Sequence, residues 1–134
     1  VIENSAGDFL VAGIADNTVD NDMWVIKLNG SDGTALWNYT FDSGNGGDSA
    51  WEIIETTGGY VMAGVYNNGV DLDAWVLKID ASGGELWNYT YGCTGNDEAR
   101  AIAELSTGGF AVAGYKNDAT VDGWILKLDA NGLL

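Results

Sequence analysis

The sequence predicts an all-β chain of three tandem units of about 50 residues, each folding four short strands into a small sheet. Three observations predict this. First, anchors recur in one register: Trp24, Trp75 and Trp124 lie 51 and 49 residues apart, and Phe9, Tyr60 and Phe110 lie 51 and 50 apart. Trp37 and Trp87 are 50 apart, each followed by Asn-Tyr-Thr and then an aromatic, Phe41 or Tyr91. Second, the runs between anchors are aromatic and β-branched, and none has a helical period long enough to assign. Third, Gly occurs 20 times and Pro never, which suits tightly turned β structure.

Taken in order, each unit opens with a strand, Ala50-Trp51-Glu52-Ile53-Ile54-Glu55 or Arg100-Ala101-Ile102-Ala103-Glu104; the first unit has only its tail, Val1-Ile2-Glu3. A turn follows: Ala6-Gly7-Asp8, Thr57-Gly58-Gly59 or Thr107-Gly108-Gly109. The second strand is Phe9 to Gly13, Tyr60 to Gly64, or Phe110 to Gly114, apolar throughout, so both its faces are expected to be covered. Its closing Ala-Gly pair predicts close approach of a neighbouring backbone. A polar loop leads to the third strand, which begins at Trp24, Trp75 or Trp124. The turn Asp80-Ala81-Ser82-Gly83-Gly84 then leads to the fourth strand, Leu86 to Tyr91, where large apolar and polar residues alternate.

A four-stranded twisted sheet with two apolar faces cannot hide both alone, and stacking sheets around an axis hides them against each other. The expected architecture is therefore a run of β-propeller blades, with a β-solenoid as runner-up. Residues 1–134 read as a partial propeller with blades at 1–47, 48–96 and 97–134. The third blade lacks its last strand and the first lacks the start of its first, and the expectation is a window on a longer or processed chain. The intervening segment corresponds to Leu86 through Ala101.

Asp48-Ser49-Ala50, Gly58-Gly59-Tyr60-Val61-Met62-Ala63-Gly64, Asp73-Ala74-Trp75-Val76-Leu77-Lys78-Ile79-Asp80 and Trp87 resemble the motifs of tandem-repeat β-propellers of secreted and surface-anchored prokaryotic proteins. The segment Lys27 to Trp37 is also similar to the tryptophan-docking stretch of quinoprotein-type propellers, and less closely to the Asp-box of sialidase propellers. In those families the segment is structural, so the resemblance implies a fold and transfers no activity.

The formal charge is −15, from 20 acidic against 5 basic residues with no His. That field repels nucleic acid and anionic membrane surfaces, and no run reaches the length of a membrane span. Charged residues make up only 19%, so the acidity reflects scarce Lys and Arg, which favours an extracellular or cell-surface origin over halophilic adaptation. Cys93 is alone, which excludes an internal disulfide and a Cys-based metal site.

Catalysis lacks its usual groups: no His, and no Ser in a nucleophile-elbow context. Glu3, Glu55 and Glu104, like Lys27, Lys78 and Lys127, recur once per unit, as structural positions do; contacts between neighbouring blades are expected of them. Asp16, Asp20, Asp22, Asp71 and Asp73 place oxygen ligands at alternate loop positions, which suits Ca²⁺, with a solvated acidic loop as the alternative. Asp22, Asp73 and Asp122 each stand two before the Trp, where capping of a turn through backbone N–H groups is expected. Asn29, Asn38 and Asn88 each open an N-glycosylation pattern. Trp24, Trp75, Trp124, Trp37 and Trp87 read as core between blades, whereas Trp51, replaced by Arg100 in the next unit, reads as an exposed aromatic available to a sugar. The expected function is a non-catalytic extracellular scaffold that mediates assembly or adhesion, including oligomers or filaments. Its partners are further blades, in a longer chain or in copies of itself. The alternative is a carbohydrate- or peptide-binding propeller of a larger secreted protein.

Overall fold

The computed structural model describes residues 1–134. It is all-β, with eleven strands and no helix. The first sheet holds β1 (Ile2–Glu3), β2 (Phe9–Asp16), β3 (Asn21–Leu28) and β4 (Ala35–Phe41). The second holds β5 (Ser49–Thr56), β6 (Gly59–Asn67), β7 (Leu72–Asp80) and β8 (Glu85–Tyr91), and the third holds β9 (Glu98–Glu104), β10 (Phe110–Asn117) and β11 (Val121–Leu128). Strands pair antiparallel in chain order, so each sheet is a meander lying within one repeat unit.

Register assigns the paired apolar residues to one face or the other. In the second sheet Tyr60 pairs with Ile79, Met62 with Leu77 and Gly64 with Trp75. These form the leading face, which packs on Leu10, Met23 and Val25 of the first sheet. The alternate pairs, Val61 with Lys78, Ala63 with Val76 and Val65 with Ala74, form the trailing face. It packs on Phe110, Val112 and Leu128 of the third sheet. Only the second sheet is covered on both faces, so β6 is buried from Gly59 through Val65, whereas β2 and β10 are not buried throughout. Continuous apolar sequence thus became continuous burial only where neighbours exist on both sides.

Two bulges recur at fixed places. In β5 the register skips Trp51, between Ala50 and Glu52, and in β9 it skips Arg100. On the outer side, β4 and β8 skip Leu36 and Leu86, which are exposed. A bulge turns a side chain away from the sheet's alternation. It also brings backbone close: a Cβ on Gly64 would lie 1.9 Å from the Ser49 carbonyl oxygen, and one on Gly114 would lie 1.8 Å from that of Glu98. Gly13, at the same place in the first unit, meets nothing within 4 Å, because β1 does not extend there. Gly64→Ala is therefore expected to cost about 1–3 kcal/mol through overpacking, while Gly13→Ala stays near parental stability. Urea denaturation of the two variants checks this.

Candidate functional site

The first-strand edges converge: β5 packs against β2 and β9, whereas β4 and β8 make no comparable contact with each other. Along this side the sheets are tied by two repeated sets of bonds. Asp48 donates its backbone N–H to Asn21 O at 2.7 Å, and Asp97 donates its own to Leu72 O at 2.6 Å. The Asp48 carboxylate accepts from Asn67 N at 2.8 Å and from Ser43 N at 2.7 Å. That of Asp97 accepts from Asn117 N at 3.2 Å and Cys93 N at 2.8 Å. Both aspartates are fully buried. Each carboxylate thus clasps the loop entering its unit to the end of its second strand, while its main chain holds the preceding sheet. Burial pushes the Asp48 carboxyl above its usual value, outweighing the pull of the Asn67 and Ser43 N–H groups. Sequence reasoning assigns Asp48 no role beyond its place in a motif, although the Asp that stands before the first strand in both the second and the third unit, Asp48 and Asp97, is an available signal.

The outer side carries a second tie. Trp37 stands 6.4 Å from Tyr60 of the next sheet and Trp87 stands 6.0 Å from Phe110, centroid to centroid. The glycine turn of that next sheet passes against the same aromatics. A Cβ on Gly83 would lie 2.4 Å from the Tyr39 ring, and one on Gly132 would lie 2.8 Å from the Trp87 ring. Both glycines hold positive φ, +90° and +83°, so neither position accepts a side chain. Lys27 lies over Tyr60 at 6.0 Å and Lys78 over Phe110 at 5.6 Å, which places these recurring lysines between sheets. Lys27 is also paired with Asp8 at 3.2 Å. Of the recurring glutamates, Glu55 accepts from Ser5 N and Oγ of the first sheet at 2.7 and 2.8 Å, while Glu3 and Glu104 are exposed.

Tyr91 adds a tie that the first unit lacks, since Phe41 stands in its place. The Tyr91 hydroxyl donates to Gly132 O of the third sheet, and burial pushes its phenol well above the usual range. The folded value is raised, so this contribution is fully present below about pH 10 and is lost as pH rises through the folded value. Tyr91→Phe is expected to cost about 1 kcal/mol at neutral pH and to flatten the alkaline decline of stability. Thermal melts across pH 7 to 11 read both effects.

The acidic loops differ between units. Carboxylate oxygens of Asp20, Asp22 and Asp42 lie within 4.8 Å of one another, and these three could hold a divalent cation. Asp42 was not among the residues expected. In the second unit Gly92 takes the corresponding place, so no third carboxylate joins Asp71 and Asp73. Asp16 accepts from Thr18 N at 2.8 Å, within its own turn. Asp22 accepts from the Asn17 side-chain amide at 2.9 and 3.0 Å, and Asp73 from that of Asn68 at 2.9 Å, rather than from backbone N–H groups. The reason is local: Asn17 Oδ1 already accepts from Val19 N and Asp20 N, which leaves its amide N–H to reach Asp22.

Of the sequon residues, Asn38 is exposed on β4. Asn88 on β8 is engaged, accepting from Trp75 Nε1 at 3.3 Å and donating to Glu85 at 2.6 Å. Asn29 lies in a turn, where its Oδ1 accepts from Ser31 N and Oγ. Trp75 is 3% exposed; Trp24 and Trp124 are half-buried, as are Trp37 and Trp87. Trp24 lies on the first sheet's leading face, which no sheet covers. Trp51 is 43% exposed, and the Arg100 guanidinium stacks on its ring at 4.4 Å. Glu98 holds Arg100 at 2.6 Å and accepts from the Tyr115 hydroxyl. Because Trp51 and Arg100 are both bulge residues, period-two alternation hid their meeting.

No protein-family model matches this chain, and no curated protein matches it. Phe9, on the uncovered leading face, is 38% exposed, while its counterparts Tyr60 and Phe110 are 3% and 1% exposed. Ile125, on the uncovered trailing face, is 78% exposed, while Val25 and Val76 are fully buried. Gly33 repeats the turn of Gly83 and Gly132 but meets nothing within 4 Å. No helix is long and apolar enough to cross a membrane.

Proposed function

We propose that this chain is a block of β-propeller blades serving as a non-catalytic, extracellular or cell-surface scaffold, which assembles with further blades through its two outermost sheet faces. One observation carries the reading: equivalent positions are sealed wherever a sheet neighbours them and open at both ends. An apolar face of this kind drives association. The convergence of β5 and β9, with β4 and β8 apart, supports wedge-shaped units that turn about an axis on the first-strand side. The few Lys and Arg and the exposed Asn38 sequon support the extracellular setting.

The test is a single chain in which two copies are joined by the segment Leu86–Ala101, which restores the register between units. The scaffold reading expects a compact particle by small-angle scattering, with first and last sheets meeting. An extended rod would favour the solenoid instead.

A second reading is favoured by Trp51, raised out of its sheet by a bulge beside Arg100. It is a carbohydrate- or peptide-binding face along the converging edges. Tryptophan fluorescence titration with oligosaccharides and peptides tests it, with Trp51→Ala expected to abolish any saturable change.

A further inference from the structure

Two of the three glycosylation patterns, at Asn38 and Asn88, stand on extended backbone at a sheet margin. β4 pairs with β3 alone and β8 with β7 alone, so each fourth strand keeps one free edge. We infer that Asn38 is an acceptor for an N-linked glycan, with Thr40 completing the pattern. The inference rests on the extracellular reading, since it names a modification made in that setting.

Asn38, Tyr39 and Thr40 are all exposed. Asn38 lies on the leading face of its sheet, yet its accessibility does not depend on that face being open. Asn88 holds the same place on the leading face of the second sheet, which the first sheet covers, and it too is exposed, with Tyr89 and Thr90. The fourth strand thus stands outside the stacked area, where a sugar clears the neighbouring sheet. What separates the sites is the state of the amide. Asn88 accepts from Trp75 Nε1 at 3.3 Å and donates from Nδ2 to Glu85 at 2.6 Å. In the first sheet Ala35 stands in the place of Glu85, so Asn38 lacks that partner. Asn29 is half-buried and spends both groups of its pattern on each other, Ser31 Oγ donating to Asn29 Oδ1 at 2.6 Å.

The transfer forms one bond and breaks one. Asn38 Nδ2 attacks C1 of an oligosaccharide carried on a lipid diphosphate. The C1–O bond breaks with its electrons going to the diphosphate, and one amide proton passes to a base of the transferase. A sugar at this place has a physical use. β4 holds no charged residue and no Pro, and its Leu36 and Tyr39 are 48% and 45% exposed. An uncharged free edge invites pairing with other chains, and the bulge at Leu36 guards only one end of it. A bulky hydrophilic group at the middle of the strand shields the rest.

The experiment secretes the chain from a host that attaches N-linked oligosaccharides and maps its peptides by mass. The expected result is an oligosaccharide mass on the Asn38 peptide in most molecules, lower occupancy at Asn88 and none at Asn29. Thr40→Ala, which leaves Asn38 in place, is expected to lose that mass, and so is Asn38→Gln. An unmodified Asn38, a mass that persists in Thr40→Ala, or a preference for Asn29 would overturn the inference. The host fixes the compartment, so these outcomes count against the acceptor and leave the scaffold reading standing. Finding the chain in the cytosol of the cells that make it would instead count against the extracellular setting, and with it against the use of the site.

Discussion

Trp75→Ala is expected to cost about 3–5 kcal/mol, the largest single loss for any aromatic in the chain. Its indole is 3% exposed between the first and second sheets, packs edge-to-face on Tyr66 at 5.2 Å, and spends its N–H on Asn88. Truncation opens a cavity bounded by two sheets, neither of which can collapse without disturbing the other. Trp24→Ala at the equivalent position should cost far less, since that indole already meets solvent on one side. Guanidinium denaturation of the two variants side by side reads the contrast. Equal losses would mean that the sheets do not stack as described.

The second large effect is expected at Asp48. Asp48→Ala removes the acceptor from two backbone N–H groups in a fully buried clasp, at about 1–3 kcal/mol for each group left unsatisfied. Asp48→Asn should fall between the alanine variant and the parent, since it keeps one acceptor and turns an amide N–H towards a donor. The raised folded pKa sets the sign of the pH effect. The stability tied to protonation of Asp48 is fully present below its unfolded value, about pH 4, and is lost as pH rises through the folded value. The parent's advantage over Asp48→Asn should accordingly narrow as pH rises through that window. Chemical denaturation at pH 3.5, 5 and 7 measures it.

The all-β class and the three antiparallel sheets were legible because the chain repeats its anchors. Tyr60 and Trp75 announce strands by type, and Gly83 announces the turn between β7 and β8. Which face each residue serves was less legible. The run Tyr60 to Gly64 and the run Phe9 to Gly13 look alike, yet one is sealed on both faces and the other on one, since burial depends on a neighbour and not on the strand itself. The bulges at Trp51 and Arg100 were invisible because a skipped residue leaves composition unchanged and only shifts the pairing. The Asp48 clasp was missed for a related reason. A buried carboxylate that accepts only backbone N–H groups has no partner side chain to betray it in sequence. In the acidic loops, alternation of Asp drew attention to Asp16, whereas Asp42 reaches Asp20 and Asp22 from the far end of β4.

Sedimentation velocity across a dilution series tests the central claim most directly, using the parent chain, Phe9→Asp, Ile125→Asp and an equimolar mixture of the two variants. Phe9 and Ile125 lie on opposite open faces, so each variant blocks one face and keeps the other. The interface that repeats inside the molecule joins a trailing face to a leading face and is therefore heterologous. The account predicts a parent whose mass rises with concentration, two variants that are monomeric alone, and a mixture that forms a one-to-one dimer and stops there. A parent that stays monomeric at every concentration, or a Phe9→Asp variant that still self-associates, would contradict it.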